Sequence, residues 1–245
     1  MRIDILTLFP EMFEAVLKES IIGRAVAKQL IELEFHNIRD YSENKHKKVD
    51  DYPYGGGLGM IMQCQPIFTA VEDITAKLGK KPYTILMSPQ GRTFDQSKAK
   101  EFSNYENLMI ICGHYEGIDE RVTEVLVDEE VSIGDFVLTG GEIAAMAVVD
   151  AACRLIPGVL KEDASYMVES FAEGLLEFPQ YTRPPVFMDM EVPEVLLSGH
   201  HENIEKWRRY QSLKRTLEKR PELLSQAELS VEDRELLDKI KKEYK

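Results

Sequence analysis

Three glycine-bearing stretches, SPQGRTF (88–94), GHYEGIDERV (113–122) and SIGDFVLTGGE (132–142), each come at the end of a short apolar run. Glycine lets backbone turn tightly or approach a ligand, so grouped loops of this kind can set bare amides and carbonyls against a small molecule. Without further context such loops are more often ordinary turns between strands and helices. They are not phosphate cradles: the Walker order of Gly, Lys and Ser or Thr is missing, and no G-x-G-x-x-G opens a helix after a first strand.

Two further stretches carry groups that suit RNA. DDYPYGGGLGM (50–60) sets Tyr52 and Tyr54 beside four glycines, after the basic run NKHKK. It reads either as a flexible loop or as a grip in which aromatic rings stack on an unpaired base. Between Lys206 and Arg220 the segment KWRRYQSLKRTLEKR holds seven basic residues and one acid, Glu218. Such a stripe binds phosphate even though the chain's net charge of −13 excludes a uniformly basic coat. The competing reading is a solvated helix face paired with acidic neighbours.

Other chemistries find little support. The five histidines are scattered, and Cys64, Cys112 and Cys153 form neither a CxxC pair nor a zinc-spaced cluster, so no metal site is expected and the thiols read as reduced core residues. No nucleophile, base and orienting acid can be assembled from spacing. An apolar fraction of 44% suits a packed globular protein, and nothing resembles a signal peptide or a membrane-spanning run. The expectation is a soluble cytoplasmic protein without a membrane partner.

The elements that must position these groups alternate. RIDILTLF, IELEFHNI, PYTILMS, NLMIICGHY, EVLVDEEVSI and DFVLTGG read as strands with helical patterns between most of them, which predicts an α/β fold with a largely parallel sheet. In such sheets ligands sit beyond the carboxyl ends of the strands. Gly79 is expected to end one helix. From Pro157 to Pro185 a long connection with four prolines breaks the rhythm. Beyond it the pattern is helical, with a stop at Pro221 and a capping box in SVED at Ser230.

The segment after Gly141 is apolar on nearly every side, so core packing and a subunit contact are both expected to cover it. Its charged residues Glu142, Asp150 and Arg154 lie at four-residue multiples and read as one slowly drifting ridge. An Asp150–Arg154 ion pair is the simple account of the last two.

Taken in order, YGGGLGM, SPQG, GHYEG, SIGDFVLTGGE, IPGVL, ESF…GLLE, YTRP and VLLSGHH…I..WR resemble the bacterial tRNA (guanine-N1)-methyltransferases, the TrmD family of the SPOUT superfamily, across nearly the whole chain. The resemblance implies a homodimer with shared active sites. Each chain would have an α/β domain (1–160) whose C-terminal trefoil knot binds S-adenosylmethionine, a linker and active-site loop (161–185), and a small all-helical domain (186–245) that binds the tRNA anticodon arm. It implies methyl transfer to N1 of guanosine at tRNA position 37. A related SPOUT enzyme with another RNA target and a non-catalytic RNA-binding protein are the alternatives.

The resemblance also implies roles for particular residues. Ile133, Gly134, Asp135, Phe136, Val137 and Leu138, with Gly140, Gly141 and Ala144, would wrap the adenosine of the donor. Met87, Ser88, Pro89 and Gln90, and Gly113, Tyr115 and Glu116, would complete that pocket. Tyr54, Gly55, Gly56, Gly57, Leu58 and Gly59 would contact the tRNA, as would Ser170, Arg183, Ser198, His201, Arg208, Lys214 and Arg215. Guanine N1 is protonated at neutral pH, so the reaction needs a base, and charge that spreads onto O6 needs a cation. Arg154 is the candidate cation. The family's base is an aspartate; the matching residue here is Glu169. Leu58 and Ala144 stand where the family often has proline, and Gln180 where it usually has histidine. The resemblance leaves dependence on Mg²⁺ open.

Overall fold

A computed structural model describes residues 1–161 and 169–243. Contacts divide the chain into two compact units with the boundary between Asp163 and Ala164.

In the first unit, strands β1 (Arg2–Thr7), β2 (Glu32–Asn37), β5 (Tyr83–Thr93), β6 (Asn107–Cys112) and β7 (Glu129–Ser132) form one parallel sheet in the order β2-β1-β6-β5-β7. Alternation along the strands divides the core between its faces. Ile3, Ile5, Ile85, Met87, Leu108, Ile110 and Cys112 pack in one cluster; Leu6, Leu86, Met109 and Ile111 pack in another. Helices α1 (Pro10–Leu17), α2 (Ser20–Ala27), α4 (Gln96–Phe102) and α6 (Glu142–Cys153) supply the first cluster, and α3 (Cys64–Leu78) and α5 (Glu120–Leu126) the second. Short strands β3 (Asp50–Asp51) and β4 (Ile61–Met62) pair antiparallel at the base of the YGGGLGM loop. Gly79 ends α3 in the left-handed conformation, φ 72°.

Three readings are corrected. SPQG does not follow a strand but interrupts one: Met87 and Arg92 of β5 both pair with Val131 of β7, so Ser88–Gly91 bulge out between them. A Cβ on Gly91 would lie 2.4 Å from Val131 N, which is why backbone this close tolerates only glycine. DFVLTGG is not a strand; residues 133–141 leave β7 through Gly134 (φ 145°) and return to β6, where Gly140 bridges His114. Glu142, Asp150 and Arg154 do not share a ridge. Eight residues at 3.6 per turn displace a side chain by about 80°, and Glu142 is buried while Asp150 is exposed.

The second unit is small and mainly helical: the hairpin β8 (Val186–Phe187) and β9 (Met190–Glu191), then α7 (Glu194–Leu197), α8 (His201–Lys219) and α9 (Val231–Glu243). Leu175, Leu213 and Ile240 are its buried centre. Helix α8 stops before Pro221, and the capping box forms: Ser230 Oγ accepts from Asp233 N at 3.1 Å, and Asp233 Oδ2 accepts from Ser230 N at 3.0 Å. Residues 162–168, part of the expected linker, lie outside the described residues.

Candidate active site

The bulge in β5 and the carboxyl ends of β6 and β7 open onto a cleft of about 310 Å³. The β5 bulge supplies Met87–Gln90, the turn after β6 supplies Gly113–Glu116, and the return loop supplies Ile133, Gly134 and Phe136–Gly141 with Ala144 from α6. Asp135 alone among the residues expected to bind the donor does not line it. Phe136, Val137 and Leu138 are apolar yet exposed, 53%, 83% and 36%, because they form the cleft wall and not the core.

The glycine pair has a packing reason. A Cβ on Gly140 would come within 2.5 Å of the His114 ring and 2.4 Å of Glu142 Oε2, and one on Gly141 would lie 3.0 Å from Cys112 Cα. Gly141 N donates to Gly113 O at 2.9 Å. Two adjacent residues without side chains therefore let the start of α6 seat directly on the end of β6.

Sequence reasoning missed His114, Ser132, Thr123, Glu120 and Glu130, which also line the cleft. Their signal was weak: His114, Glu120 and Ser132 are single polar residues inside stretches read for their glycines, and Thr123 and Glu130 lie outside those stretches. Among the described residues the cleft wall has Glu116, Glu120 and Glu130 but no Lys or Arg. Its field favours a ligand carrying positive charge. Beneath it Glu142 accepts a hydrogen bond from Thr7 Oγ1 at 2.8 Å and lies 3.7 Å from His114 Nε2. Burial, with Glu142 nearby, pushes the Cys112 thiol well above its ordinary range, and burial raises Cys153 to about 12, so neither is a thiolate nucleophile.

The remaining expected residues fall elsewhere. Tyr54 to Gly59 form an exposed loop outside the cleft wall, with Tyr54 fully exposed; Gly55, Gly56, Gly57 and Gly59 all have positive φ. The base of that loop is tied to the cleft: Glu116 N donates to Met60 O at 3.1 Å and Met62 N to Gly117 O at 2.9 Å. Arg154 is half-buried at the C-terminal cap of α6.

In the second unit, Glu169 lines a hollow of about 220 Å³ with Arg208, Arg209, Ser212, Phe178 and other residues. Ser170 Oγ accepts from Glu177 N at 3.0 Å. Arg183, Ser198 and His201 are exposed. Ser198 Oγ donates to Val195 O at 2.7 Å. The basic stripe of α8 is largely engaged within the unit. Lys206 pairs with Glu202, Arg208 with Glu205, and Arg209 with Asp233 and Glu173; Arg215 donates to Glu177 O at 3.3 Å. Lys214 and Arg215 are half-buried.

Among the described residues no group of three or more His, Cys, Asp or Glu could hold a metal ion, and no helix is long and apolar enough to cross a membrane.

Comparison with known proteins accounts for the order of these motifs. The family model described as tRNA (Guanine-1)-methyltransferase TrmD matches residues 1–226. A tRNA (guanine-N(1)-)-methyltransferase of Halalkalibacterium halodurans is 57% identical over 243 residues, 99% of this chain and 99% of the relative. Proteins of the same description from Dehalococcoides mccartyi and Clostridium novyi are 58% and 59% identical, over 98% and 99% of this chain and 97% and 99% of their own lengths.

Proposed function

The chain belongs to the tRNA (guanine-N1)-methyltransferase family and is an enzyme of that activity, and on this premise we propose that it methylates N1 of guanosine at tRNA position 37 in the cytoplasm, with S-adenosylmethionine as donor. The observation that carries the donor assignment is the cleft itself: glycine-lined backbone, an apolar wall of Phe136 to Leu138, and carboxylates with no Lys or Arg among the described lining residues. These fit an adenosine joined to a sulfonium cation, which supplies an electrophilic methyl group. Carbonyls and amides of residues 133–141 would read the adenine, with Met87–Gln90 and Gly113–Glu116 opposite. The return of this loop to β6 is the segment we assign to a trefoil knot.

Glu169 would take the N1 proton, leaving the ring lone pair to attack, while the Arg154 guanidinium offsets charge growing on O6. We assign the two to different subunits of a homodimer, so that each active site is shared. Support for a dimer comes from α1 and α6, which pack together and leave Phe9, Met12, Val16, Ile143 and Ala147 exposed. The 1–160 region would hold the donor, residues 161–185 the active-site loop, and 186–245 the anticodon arm. There Ser170, Arg183, Ser198, His201, Arg208, Lys214 and Arg215 would meet RNA together with the Tyr54–Gly59 loop.

Labelled S-adenosylmethionine and tRNA transcripts with guanosine or adenosine at position 37 test the assignment. Label is expected at N1 of guanosine 37 and absent from the adenosine transcript; equal label in both would refute the position.

A further inference from the structure

The turn that carries Glu169 is fastened to the basic helix by the Glu173–Arg209 ion pair, by Arg215 donating to Glu177 O and, at its buried point, through Leu176. Thr216 Oγ1, on a fully buried residue of α8, accepts from Leu176 N at 2.9 Å, and its own proton goes to Ser212 O at 2.7 Å. One turn earlier on the same face Ser212 Oγ donates to Leu176 O at 2.5 Å. Both backbone polar groups of one loop residue are thus held by two hydroxyls spaced four residues apart, where an α-helix puts side chains on one face. Buried Leu175 packs on Leu213 between them. From this anchor the grip passes back to the candidate base: Glu177 N donates to Ser170 Oγ at 3.0 Å, Phe171 N to Leu175 O at 2.7 Å, and Ala172 N to Glu169 O at 3.2 Å.

A hydroxyl inside a helix usually bonds back to the carbonyl four residues earlier and gains nothing from outside. Thr216 does this and also accepts from the loop, so its hydroxyl both donates and accepts, the second bond going to a segment with no regular secondary structure. We propose that Thr216 and Ser212 are positioning residues for methyl transfer, which fix the turn of residues 169–177 on α8 and so set where the Glu169 carboxylate sits. The inference rests on the reading of Glu169 as the base. The two hydroxyls are engaged with Leu176 and with the backbone of α8, and act on the reaction through Glu169. Their neighbours Lys214 and Arg215 are the candidate phosphate contacts, so one helix both holds the RNA and holds the base.

Thr216→Val keeps the shape and removes both hydrogen bonds. With full-length enzyme, saturating S-adenosylmethionine and a guanosine-37 transcript, the single-turnover rate is expected to fall about tenfold or more, as misplacing a catalytic group by an ångström does, while KM for tRNA and Kd for the donor stay unchanged. Thr216→Ser, which retains the hydroxyl, is expected to restore most of the rate. In a Glu169→Gln background Thr216→Val is expected to cause no further loss, because a residue acting through a base has nothing left to position. An undiminished rate in Thr216→Val, a change confined to KM, or an equal loss in the Glu169→Gln background overturns the proposal. A fully active Glu169→Gln enzyme instead overturns the reading of the base, whatever Thr216→Val does. If Thr216→Val does not fold, Ser212→Ala, which releases Leu176 O only, is read by the same three criteria.

Discussion

Thr7 Oγ1, at the end of β1, donates a 2.8 Å hydrogen bond to Glu142 Oε1, in the first turn of α6, and joins residues 135 apart in sequence at a buried point. Thr7 Oγ1 in turn accepts from Phe9 N at 3.0 Å. A carboxylate in this position is stabilised only while donors face it. Thr7→Val is therefore expected to lower stability by about 1–3 kcal/mol, the usual cost of stranding a buried polar group, and Thr7→Ser to restore it. Denaturant midpoints at equal slope measure both.

Arg209 holds both carboxylate oxygens of Asp233 at 2.7 Å, and with the Ser230 N–H it pulls that carboxyl down to about 2. The folded value lies below the ordinary one of about 3.9, so the stabilisation is complete above pH ~4 and is lost as pH falls toward 2. The stability difference between the wild type and Asp233→Asn should be largest at neutral pH and shrink through that window. A constant difference from pH 7 to pH 2 would contradict the assignment.

Glu169→Gln keeps shape but removes basicity, so turnover should collapse with donor binding intact, whereas Glu169→Asp should remain active. Arg154→Ala should also lose turnover. If the two residues serve one site from different subunits, a mixed dimer of Arg154→Ala with Glu169→Gln has one site with both defects and one with neither. Reannealing an equal mixture should recover about a quarter of wild-type activity under random pairing. Mixed dimers verified by mass spectrometry but inactive would mean that both residues act within one subunit.

Replacing Lys214 and Arg215 by alanine should weaken tRNA binding and reduce the slope of log K against log salt by about 0.9 for each phosphate that is no longer neutralised. Donor affinity, measured by calorimetry, should not move. An unchanged slope would leave this part of α8 with no phosphate role.

Local rules were legible wherever a residue's consequence is confined to its own turn of chain. Gly79 ended a helix, Ser230 and Asp233 capped another, Pro221 stopped a third, and short apolar runs marked the central strands. The ordered motifs carried the family, because their spacing is a property of the chain alone. What sequence could not decide is which groups meet across it. Phe136 to Leu138 are apolar enough for a strand, but β7 already ends at Ser132 and the loop turns away through Gly134 to wall a cleft. Glu142 read as one of three charges on a helix ridge until Thr7, brought alongside by the pairing of β1 with β6, gave it a buried partner. The basic stripe read either as a surface for phosphate or as a helix face paired with acids, and folding engaged two of its seven basic residues, Arg209 and Arg215, with Asp233, Glu173 and Glu177. Hydrogen bonds and ion pairs act over a few ångströms, and distances of that size between remote residues exist only once the sheet order and the helix contacts are made.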